Sequence, residues 1–330
     1  MSAILVLLLV CGISSSITAA ESVGVCYGVL GDPLPSKQEV VDLYKSNGIG
    51  KMRIYSPEKE TLEALRGSGI ELTMDVAKDT LQSLTDSDAA NNWVNTNVIP
   101  YAQDVNFKYI TVGNEIRPSY TEAQYILPAI TNIQNAISSA NLPIKVSTAI
   151  DSTLIGNAYP PNDGVFTSEA EPYIKPIIDL LKRNGAPLLA NVYPYFAYVG
   201  DQQNIPLSYA LFTQQGENSV GYQNLFDAML DATYSALEKV GASDMQIVVS
   251  ESGWPSEGGV GASTDNAATY YANLISHVSG GSGTPKKPGQ SIPTYLFAMF
   301  DENKKDGDDS ERHFGLFTPD KSPKYQLSFS

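Results

Sequence analysis

The chain has 330 residues, a formal net charge of −15, and 21 Lys and Arg against 36 Asp and Glu. A nucleic-acid binder presents a basic face, so this balance argues against that partner class. Two Cys and two His in the whole chain are far from any zinc-ligand spacing, so neither a metal site nor a cofactor is expected.

Residues 1–20 carry no charge and run from an apolar stretch, Ala3 to Val10, through Ser14-Ser15-Ser16 to Ala19-Ala20. Eight or so apolar residues are too few to cross a bilayer, which takes roughly 20. The pattern is that of a secretory signal peptide cut after Ala20. Cys11 would leave with it, so Cys26 has no disulfide partner and reads as a small buried thiol. The single catalytic unit is expected over 21–330, with no lipid-anchor tail after Tyr325 and no Asn-x-Ser/Thr site. The product is expected to be extracellular, free of a membrane anchor, and monomeric.

From residue 23 onward one pattern recurs: a short β-rich run, a turn, then a helical stretch. The β-rich runs are VGVCYG (23–28), KMRIYS (51–56), IELTMDV (70–76), YITVGNE (109–115), IKVSTAI (144–150), PLLANVYPY (187–195), MQIVVSESG (245–253) and TYLFAMF (294–300). Between them, helical spacing predicts helices over 37–48, 61–69, 123–141, 173–185, 221–242 and 266–281. Leu225, Met229, Leu230, Tyr234 and Leu237 illustrate the three-and-four spacing. Gly48, Gly69, Gly185 and Gly241 stand where helices stop. The strand runs are apolar at nearly every position, as strands covered on both faces must be. Eight units predict an α/β fold, a single-domain (β/α)8 TIM barrel. An open doubly wound sheet is the alternative, but no G-x-G-x-x-G follows a strand. Residues 151–171 and 196–221 read as long loops at the ends of the fifth and sixth strands, where such barrels build their sites.

Polar residues at those strand ends are therefore the candidates. They are Arg53 and Tyr55, Asp75, Asn114 and Glu115, Asn191, Tyr193 and Tyr195, Glu251 and then Trp254, and Asp301 and Glu302. The set has no His, and Lys305 is its only lysine, so a Ser/His/Asp hydrolase lacks its base. The acidic run 301–311 resembles a calcium loop in composition alone, because Lys305 falls on a ligand position and Asp306 where Gly belongs. Two carboxylates among aromatics and amides suit glycoside hydrolysis, in which one carboxylic acid protonates the leaving oxygen and the second attacks or activates water. Glu115 and Glu251, three strands apart on an eight-strand ring, could face each other. The competing reading for each is a buried ion pair with Arg53 or Lys305.

The strings VGVCYG, RIY, VGNEI, LLANVYPYFAY, VVSESGWPS, FAMFDEN and ERHFGLFTPDKSPKY, in this order, resemble the plant endo-β-glucanases of glycoside hydrolase family 17. The resemblance runs from about Val23 to Phe329. It implies a (β/α)8 barrel that cuts β-glucan internally with retention, Glu115 being the acid/base and Glu251 the nucleophile. It further places Glu302, Glu311 and Lys305 near the site. The family often has Asn where this chain has Asp301, which implies an extra carboxylate beside the chemistry. Retention asks for carboxyls about 5–5.5 Å apart, and Glu115 is expected to be raised towards about pH 6 by burial and by the charge on Glu251. Asn114 is placed to hydrogen-bond a sugar 2-hydroxyl. Tyr55 is a further substrate contact, and Tyr193, Phe196 and Trp254 are candidate sugar platforms or site walls, core packing being the other reading for these three. Phe196-Ala197-Tyr198 resembles the members acting on 1,3-β-glucan, so that polysaccharide is the expected substrate. Mixed-linked 1,3;1,4-β-glucan is the alternative within the family, and a non-catalytic glucan-binding protein the alternative outside it.

Overall fold

The computed structural model describes residues 23–329; the expected signal peptide lies outside these residues. Eight strands close a parallel barrel: β1 (Gly24–Tyr27), β2 (Lys51–Ile54), β3 (Glu71–Asp75), β4 (Asn106–Asn114), β5 (Lys145–Ile150), β8 (Leu188–Asn191), β9 (Ile247–Ser252) and β10 (Thr294–Leu296). The barrel closes where β1 pairs with β10, Gly24 opposite Tyr295. Gly24 is required there: a Cβ would sit 2.3 Å from the Tyr295 ring. All residues of β1, β8 and β9 are buried, because their outer faces lie under helices and their inner faces fill the barrel.

The covering helices are α1 (Lys37–Ser46), α2 (Lys59–Leu65), α3 (Ser87–Asn97), α4 (Ala123–Ser139), α5 (Ala170–Asn184), α8 (Leu225–Lys239) and α9 (Thr264–Ser279). Their ends follow local chemistry. Ser36 and Glu39 form a reciprocal capping box on α1, and Asp86, Asn224 and Ser263 cap α3, α8 and α9. Gly185 ends α5 in the left-handed conformation, at φ 59°.

Several expectations shift. The helix expected over 61–69 is the shorter α2, and α3 was not foreseen because SDAANNWVNTN is mostly polar. The sixth strand stops at Asn191, not at 195. Pro194 instead opens a short helix, α6 (Pro194–Gly200), since its fixed φ suits a first helical turn. The loop over 196–221 thus contains most of α6 and all of α7 (Leu207–Ala210), and the loop over 151–171 folds into an antiparallel pair, β6 (Ile155–Asn157) with β7 (Val165–Phe166). The eighth strand ends at Leu296, not 300. Among the described residues no helix is long and apolar enough to cross a membrane.

A buried acidic group anchors the loop over 280–293. Asp231, in the middle of α8, accepts hydrogen bonds from Tyr222 Oη at 2.9 Å, from the Lys286 backbone N–H at 2.9 Å and from Thr284 Oγ1. Its carboxyl is satisfied, so its burial is tolerated.

Candidate active site

Two irregularities in the sheet turn side chains into the barrel mouth. The register of β4 against β5 shifts between Thr111 and Asn114. Gly113 takes φ 85° and Glu115 the left-handed φ 54°. A Cβ on Gly113 would lie 2.6 Å from Ile126, so only glycine fits this turn. A left-handed Glu costs roughly 1–3 kcal/mol and is held because its N–H donates to Ala149 O at 2.9 Å. The second shift, between Ala190 and Asn191, sets Asn191 opposite Glu251. Register shifts of this kind re-aim side chains beside functional sites.

The mouth opens as a cleft with two lobes. The first, about 510 Å³, is lined by Val29, Leu30, Tyr55 and Glu58. The second, about 330 Å³, is lined by Arg117, Asp151, Tyr193 and Phe196. Glu115, Glu251, Phe297, Lys305 and Glu311 line both, so the two lobes meet at the carboxyl pair.

Glu251 is held by three donors. Arg53 Nη1 is 2.9 Å and Tyr55 Oη 2.8 Å from its Oε1, and Tyr193 Oη is 2.7 Å from its Oε2. Burial pushes both phenols well above their ordinary range, so they stay protonated donors. The ion pair with Arg53, weighed above as a competing reading, is present. Lys305 pairs instead with Glu311 at 2.9 Å, its ammonium over the Phe297 ring.

Glu115 has the opposite surroundings. Burial first, and the charge on Glu251 second, push its carboxyl up to about 7, against the donation from Asn191 Nδ2 at 2.9 Å. Asp151 adds to the rise and Arg53 opposes it. The direction is the one expected, from the two causes expected, burial and the charge on Glu251.

The remaining candidates divide. Asn114 lines the first lobe, with its Oδ1 taken by Arg53 Nη2 at 2.9 Å and Asn191 Nδ2 at 3.0 Å, which leaves its Nδ2 to donate. Glu302 is buried against that lobe and accepts from the Leu30 N–H at 3.0 Å; burial raises its pKa. Phe196 is 43% exposed on the second lobe, as a sugar platform must be. Tyr55 and Tyr193 act on Glu251 through their hydroxyls. Trp254 does not reach the cleft. It is fully buried among Tyr195, Tyr198 and Tyr270, and its Nε1 donates to Gly261 O at 2.9 Å, so of the readings weighed for it core packing is the one found. Asp301 is also corrected. It accepts from Lys324 Nζ at 2.8 Å and from the Gly315 N–H at 2.8 Å, so its charge is balanced outside the cleft lining.

Sequence reasoning missed the centrality of Arg53. It is fully buried, grips Asp75 with Nε at 3.2 Å and Nη2 at 2.7 Å, and also reaches Asn114, Asn191, Glu251 and the Ser250 carbonyl. Asp151, which follows the end of β5, was missed as a site group, and Asn191, named among the strand-end candidates, was given no role. Among the described residues no cluster of His, Cys, Asp or Glu is arranged to hold a metal ion.

A barrel whose mouth holds one carboxyl pushed towards its neutral form, facing another gripped by a guanidinium and two phenols, is built as a glycoside hydrolase. The comparisons narrow the class. The model of glycosyl hydrolases family 17 matches residues 23–329, and the chain belongs to that family. It is 59% identical to a Vitis vinifera protein named glucan endo-1,3-beta-glucosidase, over 99% of this chain and 97% of the other. It is 55% identical to the acidic isoform GI9 of the same name from Nicotiana tabacum, covering 99% and 96%. Among solved structures it superposes on CJP38, a beta-1,3-glucanase and allergen of Cryptomeria japonica pollen, with a TM-score of 0.91. The identity there is 47%, over 94% of this chain and 99% of that one.

Proposed function

We propose that the chain is a secreted, monomeric, endo-acting β-glucanase that hydrolyses internal 1,3-β-D-glucosidic bonds with retention. The observation that carries this reading is the carboxyl pair at the junction of two cleft lobes, with Glu115 pushed up to about 7. A cleft continuing on both sides of the reacting groups accepts the middle of a polymer. The 1,3 linkage is supported by the names of the relatives.

Glu251 attacks the anomeric carbon while Glu115 gives its proton to the departing glycosidic oxygen, releasing the first product and leaving a glycosyl ester on Glu251. Esterification removes the negative charge that helped to raise Glu115, whose proton affinity falls as it becomes the base. Glu115 then takes a proton from water, the hydroxide adds to the anomeric carbon, and Glu251 leaves as carboxylate. Asn114 offers its Nδ2 to a sugar hydroxyl throughout.

Assay of laminarin against barley β-glucan and lichenan, with product anomers followed by NMR, tests the reading. Laminarin should be cut to β-configured oligosaccharides. Turnover confined to mixed-linked polymers would overturn the linkage, and α-products the retention. Glu251→Ala should bind oligosaccharide without cutting it. Sequencing the N-terminus of the exported protein and gel filtration test secretion with cleavage after Ala20 and the monomer.

A further inference from the structure

Asn191 stands between the two carboxyls of the reaction. It lies on the final position of β8 and is buried, and its two amide ends face different chemistry. One end meets Ser250 Oγ at 2.7 Å and Arg53 Nη1 at 3.3 Å. A guanidinium can only donate, so the atom facing it must be the amide oxygen. The other end is therefore the NH2, which lies 2.9 Å from Glu115 Oε1 and 3.0 Å from Asn114 Oδ1. Every hydrogen-bonding group around this amide is matched in kind, and the amide cannot turn over without setting Oδ1 against two acceptors.

We infer that Asn191 is a positioning residue for the acid: clamped by Ser250 and Arg53, it aims one N–H at Glu115 and so sets how readily that carboxyl gives up its proton. The inference rests on the reading of Glu115 as acid/base. Glu115 is faced by Glu251 from β9, Asp151 from the end of β5, Arg53 from β2, Arg117 from its own loop and Tyr193 beyond β8. Of the side chains facing it, Asn191 is the one that donates a hydrogen bond to Glu115 and also touches the arginine holding Glu251. A donated hydrogen bond favours the carboxylate, so Asn191 offsets part of the rise caused by burial and by Glu251. It keeps the acid from binding its proton so tightly that it could not serve as base in the second step.

Ser250 extends the device. Its Oγ is fully buried and its contact in this cluster is the Asn191 oxygen, so it orients the amide without touching either carboxyl.

The test is the pH profile of kcat/KM on soluble 1,3-β-glucan, whose alkaline limb reports the acid in the free enzyme. Asn191→Leu keeps the bulk of the side chain and removes the donor to Glu115 without adding a charge beside it. The alkaline limb should move up by about one pH unit or more. Ser250→Ala removes one of the two donors that clamp the amide oxygen and loosens its aim, and the limb should move the same way by less. A purely structural role would lower kcat or the melting temperature and leave the limb where it was. Glu115→Gln, assayed on an aryl glucoside with an activated leaving group, is the control and should lose the alkaline limb. If it does while both other variants titrate as wild type, the role of Asn191 is refuted. If it keeps the limb, Glu115 is not the acid, and the parent reading fails instead.

Discussion

Arg53 holds Glu251 and Asp75 in one planar grip, Nη1 at 2.9 Å from the first and Nη2 at 2.7 Å from the second. All three groups are buried. Breaking a buried pair by removing one partner strands the others, at about 3–5 kcal/mol. Arg53→Met should therefore lose that much stability in urea denaturation, together with activity. Arg53→Lys cannot span two carboxylates and two amides with one ammonium. It should recover part of the stability and little of the turnover; full activity in the lysine variant would show that the fork geometry is irrelevant.

Glu115 is a site of stored instability. Its folded-state pKa, about 7, lies above the usual glutamate value, so the folded chain binds this proton more tightly than the unfolded one. The sign follows: the group favours folding while protonated, and that contribution is lost as pH rises from about 4.5 to 7. Glu115→Gln should leave stability near pH 4.5 little changed and raise it at pH 8 by up to about 3 kcal/mol. Melting curves at the two pH values check this, and an equal change at both would contradict it.

Gly28 makes room for Glu302. A Cβ at that position would lie 2.2 Å from Glu302 Oε1, a carboxyl fixed by the Leu30 N–H. The carboxyl is the movable party, so Gly28→Ala should push it into the first lobe and leave the barrel intact. We expect the melting temperature to fall by only a few degrees, for about 1 kcal/mol, while kcat/KM on polymer falls at least tenfold. Unchanged kcat/KM would show that Glu302 does not shape the lobe.

Phe196 offers an exposed ring on the second lobe, backed by Tyr193 at 5.2 Å between centroids. Losing a stacking face worth about 1 kcal/mol weakens binding several-fold. Phe196→Ala should thus raise KM for long oligosaccharides several-fold with stability unchanged. An unaltered KM across chain lengths would remove Phe196 from the substrate path.

Much of this was legible in the sequence, for physical reasons. Strands covered on both faces must be apolar throughout, so the barrel strands stood out, and Glu115 and Glu251 were conspicuous as charges at the ends of such runs. The helix α3 was hidden because SDAANNWVNTN is mostly polar, with only Ala90, Trp93 and Val94 buried. Trp254 drew notice by adjacency to Glu251, but the chain turns into the core after Ser252, and adjacency along a chain says nothing about direction after a turn. The centrality of Arg53 depends on acceptors up to 198 positions away, which only barrel closure brings together.

Cys26 gives the barrel a built-in clock. Its thiol is fully buried at the seam strand β1, donates to Ser250 O, and is pushed by burial far above its ordinary range. Thiolate is the reactive form, so a native molecule is inert to alkylating reagents on both counts. Labelling must wait until β1 leaves the sheet. Because Ser250 adjoins Glu251, whose carboxyl lines both lobes of the cleft, that opening also dismantles the site. The rate of thiol modification should therefore equal the rate of irreversible activity loss, and one unmodified native residue times the lifetime of the enzyme.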